Sequence, residues 1–227
     1  MSKIIVALDN FVDYDDLSNF IETTKDTGVI YKIGKEMFIK YNRALVTNLT
    51  NSGLKVFLDL KLHDIPNTVV KALESINEMG VWMTNIHCSG GRDMITASAD
   101  FVKDKDLILI GVTVLTSLDD TDVEEIGFKE NASLSAVKLA LLGYDCGLNG
   151  VVCSPFESSS IKMATNPNFI TVTPGVRLSS NKADDQKRFM TPPEAQHALS
   201  DYLVIGRPIT QAEDPVKVIE QIKNSLN

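Results

Sequence analysis

Short β-branched runs alternate with amphipathic stretches along all 227 residues, and so regular an alternation leaves few architectures open. The runs at 3–8, 30–33, 55–60, 82–87, 107–114, 151–153, 169–172 and 202–205 predict strands. Helical periodicity follows them at 14–25, 36–49, 66–79, 93–102, 134–142, 157–164, 193–199 and 215–225. Gly28, Gly53 and Gly80 each stand where a helix must stop in the left-handed region before the next strand begins. No Pro/Gly/Ser-rich linker or low-complexity stretch interrupts the series. Eight consecutive βα units favour an α/β fold with one (β/α)8 barrel domain over residues 1–227, rather than an open doubly wound sheet.

Composition narrows the partners. A hydrophobic content of 44% supplies a sizeable core. The net charge of −8, with no Lys/Arg cluster long enough to follow a phosphate backbone, argues against nucleic acid or a membrane surface. A small anionic ligand must then be held by a few local cations. Cys88, Cys146 and Cys153 are odd in number and lack a Cys-x-x-Cys spacing, so neither a disulfide framework nor a zinc site is expected, only reduced core thiols. Met1-Ser2-Lys3 runs at once into a strand, so no signal peptide is expected, and no apolar run reaches the ~20 residues of a membrane helix. A cytoplasmic protein is the expectation.

In a barrel, lumen-facing residues turn polar at the C-terminal mouth, where active sites of this fold lie. Alternation sends Ile4, Val6 and Leu8 outward on the first strand and Ile5, Ala7 and then Asp9 inward. The second strand directs Ile30 and Lys32 inward, the third Phe57, Asp59 and Lys61, and the fourth ends with Asn85 and His87 on one face. Asp9, Lys32, Asp59 and Lys61 therefore converge on one mouth. Removing such charges from water costs several kcal/mol unless partners are supplied, so an array of alternating sign at the catalytic end marks a candidate active site.

The second half carries a different signal. Thr173-Pro174-Gly175-Val176-Arg177 follows the seventh strand, and Gly206-Arg207-Pro208-Ile209 follows the eighth and is expected to enter the last helix. Barrels of this fold commonly hold phosphate there, because glycine admits backbone N–H groups, a helix N-terminus favours an anion, and Arg207 can bind it bidentately. The long polar segment between Arg177 and Pro192 is expected to form a mobile lid over the mouth.

With these residues in view, the chain resembles the orotidine 5′-phosphate decarboxylases of the stand-alone, bacterial type. The resemblance rests on Asp59-Leu60-Lys61-Leu62-His63-Asp64-Ile65-Pro66-Asn67-Thr68, Val6-Ala7-Leu8-Asp9, Tyr31-Lys32-Ile33-Gly34 and His87-Cys88-Ser89-Gly90-Gly91. Further along, Val112-Thr113-Val114-Leu115-Thr116-Ser117, Thr173 to Arg177, Asp185-Gln186 and Asp201 to Thr210 continue it in order. It implies loss of CO2 from C6 of the pyrimidine, the last step of UMP synthesis. Lys61 would stabilise and protonate the C6 carbanion, Asp59 would sit by the departing carboxylate, and Lys32 would anchor Asp59 and, with Asp9, bind the ribose. Thr116 and Ser154 would contact the base. Gln186 would bridge base and phosphate, and Arg177, Gly206 and Arg207 would hold the phosphate and the closed lid. Asp64 and Thr68, four apart, are expected on one face of the following helix and would reach the neighbouring site of a homodimer. No metal or organic cofactor is implied, and His63, His87 and His197 lack a ligand spacing.

Three other readings compete. Metal-dependent relatives, such as a hexulose-phosphate synthase or a ketogulonate-phosphate decarboxylase, share the Asp-x-Lys-x-x-Asp core but carry an acidic ligand where this chain has Lys32. A Schiff-base aldolase needs a neutral amine, which Asp59 and Asp64 beside Lys61 disfavour. A non-enzymatic phosphate-binding barrel would have shed some of the mouth charges, and every one is present.

Overall fold

Strands that are apolar on both faces must be covered on both, and closing the sheet into a barrel does this. The computed structural model describes residues 3–178 and 190–227. In it β1 (Lys3–Ala7), β2 (Ile30–Gly34), β3 (Val56–Leu62), β4 (Met83–His87), β5 (Ile108–Val112), β6 (Gly150–Val152), β7 (Ile170–Thr173) and β8 (Tyr202–Ile205) run parallel in sequence order. β8 pairs back onto β1 to close the barrel.

Side-chain parity divides the apolar residues into two cores. Ile5, Ala7, Ile30, Phe57, Met83, Ile110, Val172 and Val204 fill the lumen. Ile4, Val6, Leu8, Tyr31, Ile33, Val56 and Leu58 face outward onto the helices. At the N-terminal end of the lumen Trp82 packs on Tyr202 with ring centroids 5.5 Å apart, and Lys55 and Lys3 lie over the two rings at 5.3 and 5.8 Å. The polar end is the other one. All three cysteines are buried, and burial pushes the Cys88 thiol up to about 12.

Among the described residues ten α-helices surround the strands: α1 (Tyr14–Thr24), α2 (Lys35–Asn51), α3 (Pro66–Glu78), α4 (Arg92–Val102), α5 (Asp120–Glu125), α6 (Ala132–Asp145), α7 (Pro155–Ala164), α8 (Pro192–His197), α9 (Arg207–Thr210) and α10 (Pro215–Ser225). Gly28, Gly53 and Gly80 adopt φ of 71°, 77° and 68°, as the sequence requires. Local chemistry accounts for what periodicity does not predict. Asn42 interrupts α2 with φ 50° and ψ −156°, and its side chain accepts the Ala44 N–H, restarting the helix. Asp119 caps the short α5 through a capping box. The chain after β8 enters α9, not the last helix, because the Gly206 carbonyl accepts from the N–H groups of Ile209 and Thr210. Among the described residues no helix is long and apolar enough to cross a membrane.

The barrel leaves little room where β6 meets β7. A Cβ on Gly150 would stand 2.2 Å from the carbonyl oxygen of Ile170, its partner in the ladder. Backbone cannot yield as a side chain tip can. Gly150→Ala is therefore expected to lower the unfolding free energy by about 2–3 kcal/mol, the upper part of the overpacking range. Urea unfolding checks this, and an unshifted midpoint would show that β6 and β7 can separate at no cost.

Candidate active site

Asp59 is the β3 residue in register with Gly34 of β2, and Lys32 stands two residues before that glycine. Asp59 is only 9% exposed and Lys32 8%, so both charges depend on protein partners. Lys61 Nζ donates to Asp59 Oδ1 at 2.6 Å, and Lys32 Nζ lies 3.5 Å from Asp59 Oδ2. Lys32 also lies 3.3 Å from both oxygens of Asp9, which follows β1. The four groups thus form a row of alternating sign whose formal charges cancel. Gly34 makes room for it: a Cβ there would approach Asp9 Oδ1 to 3.1 Å and Lys32 Nζ to 3.2 Å.

Burial alone would raise the Asp59 carboxyl. The Lys32 and Lys61 ammonium groups, with hydrogen bonds from Lys61 and Asn85, outweigh it and hold Asp59 below its ordinary range. His87, at the end of β4, shifts downward through burial, reinforced by His63, Lys35 and Lys61 and opposed by Asp59. Its ring lies 5.3 Å from that of His63.

Simple alternation does not account for how Lys61 arrives here. From Leu58 to Leu62 β3 spans only Thr84 to Ile86 on β4, so the strand bulges, and Lys61 adopts φ 53°. Its N–H donates to Asn85 Oδ1 at 2.7 Å, while Asn85 Nδ2 donates to Asp59 Oδ1 at 2.7 Å. Asn85 and Gly34 were not among the site residues expected from sequence. The signal for Asn85 was an amide on the lumen-facing parity of the fourth strand.

The array opens into a cleft of about 1150 Å³ at the C-terminal mouth. Asp9, Lys32, Asp59, Lys61, Thr116, Arg177, Gly206 and Arg207 all line it, together with Gly175, Asn10 and Gln211. Ser154 does not: it is buried at the N-cap of α7, where its hydroxyl accepts from Phe156 N–H and its own N–H donates to Glu157. Asp64 and Thr68 are exposed and outside the cleft of their own chain. Only Thr68 is helical. Pro66 begins α3 and keeps Ile65 extended at ψ 150°, so Asp64 precedes the helix and accepts the Ile65 N–H. Gln186, and most of the expected lid, lie outside the described residues.

A closed (β/α)8 barrel whose mouth holds a buried carboxylate between two ammonium groups has the architecture of a barrel enzyme. Residues 2–222 match the Orotidine 5'-phosphate decarboxylase / HUMPS family, and the chain belongs to that family of enzymes. An orotidine 5'-phosphate decarboxylase of Sodalis glossinidius is 47% identical over 229 residues, covering 99% of this chain and 90% of its own. One from Vibrio vulnificus is 48% identical, covering 99% and 97%. The crystal structure of orotidine 5'-phosphate decarboxylase from Lactobacillus acidophilus superposes with a TM-score of 0.88 at 32% identity over the whole of both chains.

The depressed Asp59 carboxyl has a consequence for stability. A carboxylate whose folded pKa lies below its unfolded value stabilises the fold above the unfolded value, about 3.9, and loses that contribution as pH falls through the folded value. Asp59→Asn should therefore be less stable than wild type at pH 7. The gap should narrow as the pH drops below about 5. Urea midpoints measured across that range test this, and a constant gap would show that Asp59 ionises alike folded and unfolded.

Proposed function

We propose that this chain converts orotidine 5′-phosphate to UMP and CO2, the final step of UMP synthesis, without metal or organic cofactor. The observation that carries the reading is the Lys61 ammonium, 2.6 Å from a carboxylate that Lys32 holds from the other side. The C6 carboxylate of the substrate would lie beside Asp59, and this repulsion is relieved as CO2 departs. The C6–carboxylate bond breaks, its electron pair stays on C6, and Lys61 stabilises that pair and donates a proton to it; solvent then restores the proton on Lys61. An ammonium suits this because it supplies positive charge and a proton at one atom.

Asp9 and Lys32 would bind the ribose hydroxyls from the same row of charges. Thr116 would contact the base, as would Ser154, which stands two residues beyond the cleft-lining Val152. Arg177, Gly206 and Arg207 would take the phosphate, with Gln186 bridging from phosphate to base. Phosphate binding far from C6 can then supply energy to the chemical step. Asp64 and Thr68 flank Ile65, which is 67% exposed, and a second copy covering this edge would bring them to its own cleft. We place this homodimer in the cytoplasm. The metal-dependent sugar-phosphate chemistry of related barrels is disfavoured by Lys32, whose ammonium occupies the space between Asp9 and Asp59 where a divalent ion would need a carboxylate.

Adding orotidine 5′-phosphate to the purified protein and following the loss of its ultraviolet absorbance tests the activity. No loss, with Mg²⁺-dependent turnover of a sugar phosphate instead, would favour the metal-dependent reading. Lys61→Ala should reduce kcat by about 10²–10⁴-fold, the usual contribution of a positioned proton donor. UMP binding should largely survive in that variant. Near-normal turnover would remove Lys61 from the proton transfer.

The shared site can be tested by complementation. Lys61→Ala and Asp64→Ala homodimers should each be poorly active. Once subunits exchange at equal concentration, half the dimers are mixed and each holds one intact site, restoring roughly a quarter of wild-type activity. Verified exchange without recovery would put Asp64 to work in its own subunit.

A further inference from the structure

The bulge in β3 creates a problem that the backbone does not solve. Residues pushed out of a ladder lose their regular partners, and a buried N–H left unpaired is costly. Lys61 also pays the strain of φ 53°, a left-handed conformation that long side chains rarely adopt. Asn85 is the β4 residue between Thr84 and Ile86, opposite the bulge, and it is completely buried. Its Oδ1 accepts the Lys61 N–H at 2.7 Å. Its Nδ2 donates at 2.7 Å to Asp59 Oδ1, the oxygen that also accepts Lys61 Nζ at 2.6 Å.

We infer that Asn85 is a positioning residue for the decarboxylation proposed above, fixing the Lys61 backbone and the Asp59 carboxylate in one relative geometry. The inference rests on that proposed activity. A primary amide suits the position because it presents an acceptor to the N–H and a donor to the carboxylate on one short stem. An aspartate would keep the acceptor but set a second carboxylate against Asp59. Serine is too short to span both groups, and alanine offers neither atom. The charged and titratable groups around Asp59 are Lys32 from β2, Lys61 from β3, His87 from β4 and, across Lys32, Asp9. Asn85 is the uncharged contact among them.

The test measures kcat, KM and the Asp59 titration in Asn85→Ala, Asn85→Ser and the isosteric Asn85→Asp. Each should lose about 10²-fold in kcat, or about 2.7 kcal/mol in the barrier, with KM within about threefold because the phosphate contacts proposed for Arg177, Gly206 and Arg207 lie elsewhere. Asn85→Asp keeps the volume and so serves if the smaller side chains do not fold. A merely structural role would reduce the yield of folded protein but leave kcat per active site within about threefold of wild type, and that result overturns the inference. Carboxyl carbon-13 NMR of aspartate-labelled protein supplies a readout independent of turnover, with the Asp59 signal identified by its loss in Asp59→Asn. In Asn85→Ala the midpoint of that signal should move upward, since a donor to the ionised form has gone. An unmoved midpoint would also overturn the inference. A wild-type chain inactive on orotidine 5′-phosphate would instead sink the proposed activity, leaving the NMR arm to decide whether Asn85 fixes the pair.

Discussion

A carboxylate that cannot reach water must be neutralised by what surrounds it, and the mouth of this barrel is arranged around that demand at Asp59. The side chain is nearly buried, yet its carboxyl is held below the ordinary range rather than above it. Two ammonium groups and an amide accomplish this from three different strands. Without Asp59, Lys32 would face Asp9 alone, and without Asn85 the Lys61 N–H would lack its acceptor. Buried ion pairs are weak sources of stability, and their value here lies in placing charge at a fixed spot in a site of low dielectric.

The barrel supports this by separating two tasks along its axis. Below the array the lumen is packed with branched and aromatic side chains, and the outer core ties each strand to its helices. Above it the loops after β5, β7 and β8 contribute the cleft's polar and arginine-bearing wall. The tight packing gives the array a rigid floor, so its geometry need not be maintained by the loops that line the cleft.

Much of this was legible in the sequence because it follows from periodicity. Alternation along the first three strands distinguishes lumen from shell, and the same parity carries Asp9, Lys32 and Asp59 to the mouth. Lys61 has the right neighbours for a different reason: two residues of β3 beyond the regular ladder bend it there, and no local composition marks a bulge whose freed N–H is taken up by a side chain on β4. Asn42, α5 and α9 escaped for a related reason, since each depends on one cap or one carbonyl rather than on a repeating pattern. Asp64 and Thr68 have helical spacing, but Pro66 restrains the residue before it and leaves Asp64 outside α3. Where structure follows from a repeat the residues announce it, and where it follows from a single long-range hydrogen bond they do not.

The aromatic plug at the opposite end of the lumen has a practical side. Trp82 is the only tryptophan in the chain, and it lies against Tyr202 beneath the apolar floor, remote from the cleft. Its emission should therefore gauge whether the barrel is closed. Unfolding can then be followed through the indole, whose aromatic partner on β8 is lost only when the barrel opens.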